Sequence, residues 1–249
     1  MEAVTEVADC AGQLILEVYA TEFDIFFKKD ASPVTVADER AETLILRDLR
    51  NLLPGIPAIG EEAVSNGLVE SSESNTFWLV DPVDGTKEFL RRSGEFTVNI
   101  ALIHHGEPVL GVVTAPAIGQ AFRACGIESA ERRVAGGSWR PIAVRNTPKE
   151  GVVVVSSRSH GDKEKLASLT NELEVHHHKT IGSSLKFCLI AEGNADIYPR
   201  YGPTSEWDTA AGHAILRGAG GYVLLTDGSE LKYGKIGWRN PEFIARGAK

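Results

Sequence analysis

Trp78-Leu79-Val80-Asp81-Pro82-Val83-Asp84-Gly85-Thr86 carries an apolar strand directly into two acids, a proline-restricted turn and a glycine. Asp81 and Asp84 lie three apart with Pro82 fixing φ between them, and the Val83 carbonyl is placed to turn toward the same point as both carboxylates. Oxygen donors of this kind favour magnesium over zinc or copper. Gly85 lets the backbone bend closely around a ligand, and Thr86-Lys87-Glu88-Phe89-Leu90 can begin a helix whose free amides face an anion. Taken alone, the segment reads more simply as an Asp-Pro turn between a strand and the next element.

Two further acidic motifs change that balance. Upstream, Ile59-Gly60-Glu61-Glu62 closes an apolar stretch with a glycine and paired acids. Downstream, Glu206-Trp207-Asp208-Thr209-Ala210-Ala211-Gly212 sets an acid at the mouth of an alanine-rich helical run. Three apolar elements therefore end or begin in carboxylates.

The chain has 249 residues, the composition of an ordinary globular protein and a formal charge of −8. That balance argues against a nucleic-acid polymer as partner, which needs a basic face. An anionic small substrate is compatible with it, because bound divalent ions invert the local field. Cys10, Cys125 and Cys188 are odd in number and widely spread, supporting neither a disulfide framework nor a thiolate metal site and pointing to a reducing cytoplasm. Glu2, Glu6 and Asp9 stand where a secretory signal carries basic residues, and no apolar run reaches membrane-spanning length.

Helical spacing of Val4, Val7, Ala8, Ala11, Leu14, Ile15 and Val18 predicts an amphipathic opening helix over about residues 3–20. A polar loop, Lys28 to Pro33, leads to a second helix from about Thr35 to Leu53, with Ala41, Ile45, Leu49 and Leu52 on one face. Asp38 heads that apolar stripe, as an acid that is neutralised, paired or near a cation, or as one that answers the helix dipole. Pro54, Gly55 and Pro57 break the helix, and Ser71 to Asn75 reads as an exposed connection. Strands follow at Phe77–Val80, Thr97–Ile103 and Val109–Ala115, with a hairpin turn at His104-His105-Gly106-Glu107, giving helices and then an antiparallel sheet. Beyond Ala135-Gly136-Gly137-Ser138, a strand at Val152–Val155 alternates with helices at Asp162–Leu173 and Ser184–Ala191. A domain boundary is expected there, dividing residues 1–136 from 137–249. His176-His177-His178 makes a poor metal site, since consecutive residues on a strand point to opposite faces.

In order, Gly60-Glu61-Glu62, Asp81-Pro82-Val83-Asp84-Gly85-Thr86 and Trp207-Asp208-Thr209-Ala210-Ala211-Gly212 resemble the signature of the inositol monophosphatase superfamily, the magnesium-dependent, lithium-sensitive phosphomonoesterases. The resemblance spans almost the whole chain. The segments Ser32 to Asp38, Gly85 to Phe89, Gly94 to Ile103, Ser157 to His160 and Gly182 to Leu189 are similar to its bacterial 3'(2'),5'-bisphosphate nucleotidase branch. That branch converts adenosine 3',5'-bisphosphate to AMP and phosphate, with the 5'-phosphosulfate analogue as a further candidate substrate, and is associated with recycling the nucleotide by-product of sulfate assimilation. The fold implied is α/β, an α+β layered sandwich of αβαβα type with two sheets between helix layers.

The resemblance also implies roles. Glu61, Asp81 and the Val83 carbonyl would bind one Mg2+, and Asp81, Asp84 and Asp208 a second, with Glu61 reaching a third. The metals would activate the attacking water and stabilise the leaving ribose oxygen. Asp38 would take up a proton through Thr86, and attack would be direct, without a phosphoenzyme. Phosphate would meet the amides of Gly85 and Thr86. Ser183, Ser184, Lys186 and Arg200 would recognise the second phosphate and His160 the adenine, although by themselves Lys186 and Arg200 read as solvated surface charge. Lys87, Arg91 and Arg92 would balance the acids. The nearest rival is an inositol or sugar phosphate phosphatase with the same metal ligands; a regulatory binding module that keeps the fold without catalysis stands further off. Oligomeric state is not legible, and peripheral attachment to the inner face of the cell membrane is compatible with this reading.

Overall fold

The computed structural model describes residues 1–28, 33–67, 74–158, 162–171 and 173–248. The parts of the expected loops at 29–32 and 71–73 lie outside the described residues.

Helix α1 (Glu2–Tyr19) buries Val4, Val7, Ala8, Ala11, Ile15 and Val18, the stripe its spacing predicts. A hairpin of β1 (Ile25–Phe27) and β2 (Pro33–Thr35) leads into α2 (Val36–Leu52), which a capping box opens. The Ala37 amide donates to Thr35 Oγ1 at 3.2 Å, and the Thr35 amide donates to Asp38 Oδ2 at 2.8 Å. Ala41, Ile45 and Leu49 are buried on α2, whereas Leu52 in its last turn is exposed.

Then come β3 (Ala58–Gly60), α3 (Glu61–Ser65), β4 (Thr76–Asp84), α4 (Thr86–Leu90), β5 (Thr97–His104) and β6 (Glu107–Ala115). The β5–β6 turn has His105 and Gly106 at φ 49° and 75°, the left-handed pair that a two-residue hairpin needs. Strands β7 (Gln120–Cys125), β8 (Glu131–Val134) and β9 (Arg140–Pro141) complete a seven-stranded sheet in sequential order from β3 to β9. After it run β10 (Val152–Ser156), α5 (Lys163–Asn171), β11 (Val175–Thr180), α6 (Leu185–Ala191), β12 (Ile197–Arg200), α7 (Ala210–Gly218), β13 (Tyr222–Leu225) and β14 (Phe243–Arg246). These strands form a five-stranded mixed sheet ordered β11-β10-β12-β14-β13, so the chain changes sheets between Pro141 and Val152.

Two cores make the layers. One joins α1 and α2 to Trp78, Val80, Val98 and Ile100 on one face of the first sheet. The other joins Phe77, Leu79, Ala101 and Ile103, on the opposite face, to α6, α7 and the second sheet. The layered sandwich expected from sequence is therefore the architecture observed.

The first sheet is antiparallel except at β3–β4, which pair in parallel with Gly60 opposite Val80. Nor does β4 stop at Val80: it continues through Asp84 with its register shifted between Asp81 and Asp84. The Asp-Pro segment is a bulged strand end, with a following strand to pair against, and not a free turn.

Candidate active site

Phe77 and Leu79 face the α6–α7 core while Trp78 and Val80 face α1 and α2, so simple alternation sends Asp81 toward α7. Asp84, three residues on, would then face the other way. The bulge removes the conflict: Val83 packs with the α1–α2 core, and Asp84 returns to the side of Asp81, where Asn99 Nδ2 donates to its Oδ2 at 3.2 Å. The Val83 amide donates to Asp81 Oδ1 at 3.0 Å and pins the bulge.

Parallel pairing of β3 with β4 brings their carboxyl-bearing ends to the same edge, and Glu61 follows Gly60 as Asp81 follows Val80. The Glu62 and Ala63 amides each donate to the Glu42 carboxylate at 2.7 Å, which holds the first turn of α3. Gly60 leaves room for that carboxylate, which a Cβ there would push aside. The third acid arrives with α7, against β6: the Ser205 amide donates to Asp208 Oδ2 at 2.9 Å. Oxygen atoms of Glu61, Asp81 and Asp208 lie within 4.8 Å of one another, the one such cluster found among the described residues. The histidines at 176–178 are exposed along β11 and join no such group.

Burial, then Glu61, Asp84 and Asp208, push the Asp81 carboxyl well above its usual range. Burial, followed by Asp84 and Glu61, lifts Asp208 to about 8. Like charges held in a poorly solvated place fit a hard divalent cation between Glu61, Asp81 and Asp208, while Val83 and Asp84, which the cluster does not include, line the same cleft.

Behind the cluster, Asp38 is buried, accepts from the Thr35 hydroxyl at 2.7 Å and is raised to about 6 chiefly by burial. Thr86 Oγ1 lies 3.5 Å from Asp38 Oδ1 and 3.3 Å from the Val83 oxygen. Gly85 turns the chain at φ 93°, with Glu95 O only 3.2 Å from where a Cβ would stand.

A cleft of about 320 Å³ opens over these groups, and its far wall comes from the second half of the chain. Lys186 and Arg200 are 5% and 7% exposed, so neither is the solvated surface charge that each suggests alone. Lys186 Nζ donates to Ser183 O at 2.5 Å and stands 5.3 Å from the Tyr198 ring; burial lowers its pKa to about 8 against the pull of Asp84. Arg200 Nη2 donates to Pro203 O at 2.6 Å. Ser183 lines the cleft, whereas Ser184 lies behind it, bridging Asn99 Nδ2 and the Asp208 carbonyl. His160 lies outside the described residues.

Lys28, Asn99, Arg239 and Asn240 carry no local signal of a role here. Lys28 Nζ is 2.6 Å from Glu61 Oε1 and 2.7 Å from Glu62 Oε1. Asn240 Nδ2 donates to Ser205 O at 2.7 Å and Thr209 Oγ1 at 3.0 Å, tying down the segment that carries Asp208, and Arg239 lines the cleft beside it.

These environments set a pH dependence for the metal-free protein. Asp38, Glu42, Glu62 and Asp208 are raised to about 6, 7, 8 and 8, each mainly by burial, so between about pH 4 and 8 the folded chain holds protons that the unfolded chain releases. Stability therefore falls as pH rises through that window. On the acid side, burial lowers His213 to about 3, so below about pH 6.5 the unfolded chain takes up a proton that the folded one refuses. Chelator-treated protein should melt highest at mildly acidic pH, and an added divalent cation that binds the cluster should flatten the alkaline decline. Thermal denaturation from pH 5 to 9 checks this; a flat metal-free profile would refute the crowding.

The inositol monophosphatase family profile matches residues 1–245. The chain is 47% identical to the 3'(2'),5'-bisphosphate nucleotidase CysQ of Escherichia coli O157:H7 over 94% of this chain and 93% of that one. It is 48% identical to the CysQ of Salmonella typhimurium over the same shares. Among solved structures, CysQ from Bacteroides thetaiotaomicron superposes with a TM-score of 0.84 at 36% identity, covering 100% of this chain and 97% of that one. An inositol monophosphatase from Anabaena gives 0.78 at 26% identity, covering 100% and 90%.

Proposed function

We propose, from the premise that this chain belongs to the inositol monophosphatase family, that it is a 3'(2'),5'-bisphosphate nucleotidase hydrolysing adenosine 3',5'-bisphosphate to AMP and phosphate. The observation that carries the reading is one cleft with an acid cluster on one wall and two buried cations, Lys186 and Arg200, on the other. A polyol monophosphate gives the second wall nothing to neutralise. A nucleoside bisphosphate does.

In this reading Glu61, Asp81, the Val83 carbonyl, Asp84 and Asp208 hold two or three Mg2+ ions. Ions held by these residues would supply a lowered pKa for water and stabilisation of charge on the leaving ribose oxygen. The chain does the positioning. The Thr86 hydroxyl accepts from the attacking water while donating to Asp38, whose raised pKa suits it to hold the proton. Amides of Gly85 and Thr86 would donate to the phosphoryl oxygens, while water takes the phosphoryl group directly, in line with the leaving ribose oxygen and without a phosphoenzyme. Ser183, Lys186 and Arg200 take the remote phosphate, His160 contacts the base, and Ser184 supports the wall. Residues 1–136 supply most metal ligands, and 137–249 supply Asp208 and the recognition groups. We place the protein in the cytoplasm; among the described residues no helix is long and apolar enough to cross a membrane.

Phosphate release with Mg2+ on adenosine 3',5'-bisphosphate, inositol 1-phosphate and fructose 1,6-bisphosphate tests the choice of substrate. The nucleotide should be preferred over inositol 1-phosphate by about a hundredfold or more in kcat/KM, as expected where buried donors await a group that rival lacks. Equal or better turnover of a polyol would overturn it.

A further inference from the structure

Lys28 is the last described residue before 29–32, and its ammonium reaches into the acid cluster from a hairpin distant in sequence. Its side chain is 12% exposed, and its Nζ sits between Glu61 Oε1 and Glu62 Oε1 at 2.6 and 2.7 Å. Glu61 is also one of the three carboxylates that converge within 4.8 Å. One carboxylate of the proposed metal site is thus engaged by a cation that belongs to the chain itself.

We propose that Lys28 is a tethered counter-ion that competes with the divalent cation for Glu61, an inference that rests on the proposed metal site. An ammonium offers only hydrogen bonds and one charge, so a divalent ion that takes the Glu61 oxygen must displace it or share with it. The pair energy is then subtracted from metal binding. In the metal-free state the same ammonium relieves a set of carboxylates crowded with too few cations. Glu62 keeps Lys28 close when Glu61 lets go, since it pairs with the same Nζ and has a 7% exposed side chain. The device stabilises the empty site and weakens the affinity of the filled one. A purely structural ion pair would do the first only, and a residue that orients Glu61 for metal would strengthen affinity.

Lys28→Met, Lys28→Arg and Glu62→Gln test it by calorimetric titration of the chelator-treated full-length protein with MgCl2, with melting temperature read at zero and saturating Mg2+. Lys28→Met should bind Mg2+ about three- to tenfold more tightly, the range of a partly buried ion pair. It should also melt lower without metal and gain more from Mg2+ than the parent, with Lys28→Arg close to the parent. Glu62→Gln should leave affinity unchanged or lower it, because Lys28 keeps its pair with Glu61 and loses the partner that receives it when metal binds. Unchanged or weaker Mg2+ binding in a folded Lys28→Met protein would overturn the competition while leaving the metal site standing. Absence of Mg2+ binding in the parent would overturn both.

Discussion

Asp81→Asn should lower kcat/KM by about a thousandfold or more, because it removes the central carboxylate of the proposed metal site while leaving the fold in place. The amide keeps an oxygen that can accept from the Val83 amide, so the bulge that sets Asp81 and Asp84 on one face survives. Charge, not shape, is what goes. In the metal-free protein the substitution relieves repulsion with Glu61, Asp84 and Asp208 in a buried setting, so the melting temperature should hold or rise. Steady-state kinetics beside circular dichroism and a melting curve in chelator read both halves. Near-normal turnover would remove Asp81 from the metal site, and a lower melting temperature without metal would remove the crowding argument.

Gly111→Ala acts far from the chemistry and should still weaken it. Gly111 lies on β6 under α7, and an added Cβ would run into the Ala211 carbonyl and meet Ala214 Cβ at 2.8 Å. Neither obstacle is a flexible side chain, so the helix itself must shift. Overpacking of this kind costs about 1–3 kcal/mol, or roughly 2–12 °C in Tm for a chain of this size. Since Asp208 precedes α7, Mg2+ affinity should fall along with stability, which calorimetry and thermal denaturation measure together. A variant as stable as the parent would show that helix and sheet are not seated so closely.

How much of the fold and the site is legible in the chain depends on where each signal lies. The acidic motifs are contiguous, and each ends or begins an apolar run, so three carboxylate-bearing element ends can be read from the residues alone, whereas their meeting at one site and the layered fold come from the family resemblance. The parallel β3–β4 pair cannot, because Ala58–Gly60 is too short for periodicity to announce and its direction is settled by its partner. The bulge has one trace: two acids spaced by three at a strand end cannot share a face unless the alternation breaks. Lys186 and Arg200 look like surface charge because sequence shows a residue's type and not its burial. Lys28, Asn99 and Asn240 are silent for a deeper reason. Each contributes through a partner at least fifteen residues away, Glu61, Asp84 and Ser205 respectively, and nothing in their own neighbourhood marks that partner.

The change of sheet between Pro141 and Val152 separates two kinds of evolutionary freedom. Most of the charge proposed to grip cations hangs from strand tips of one slab, while the arms proposed to greet the rest of a ligand spring from the other. Drift in the second slab, away from the segment that carries Asp208, can therefore retune taste without touching the engine. A lineage built this way can diversify its diet while the reaction it runs stays the same.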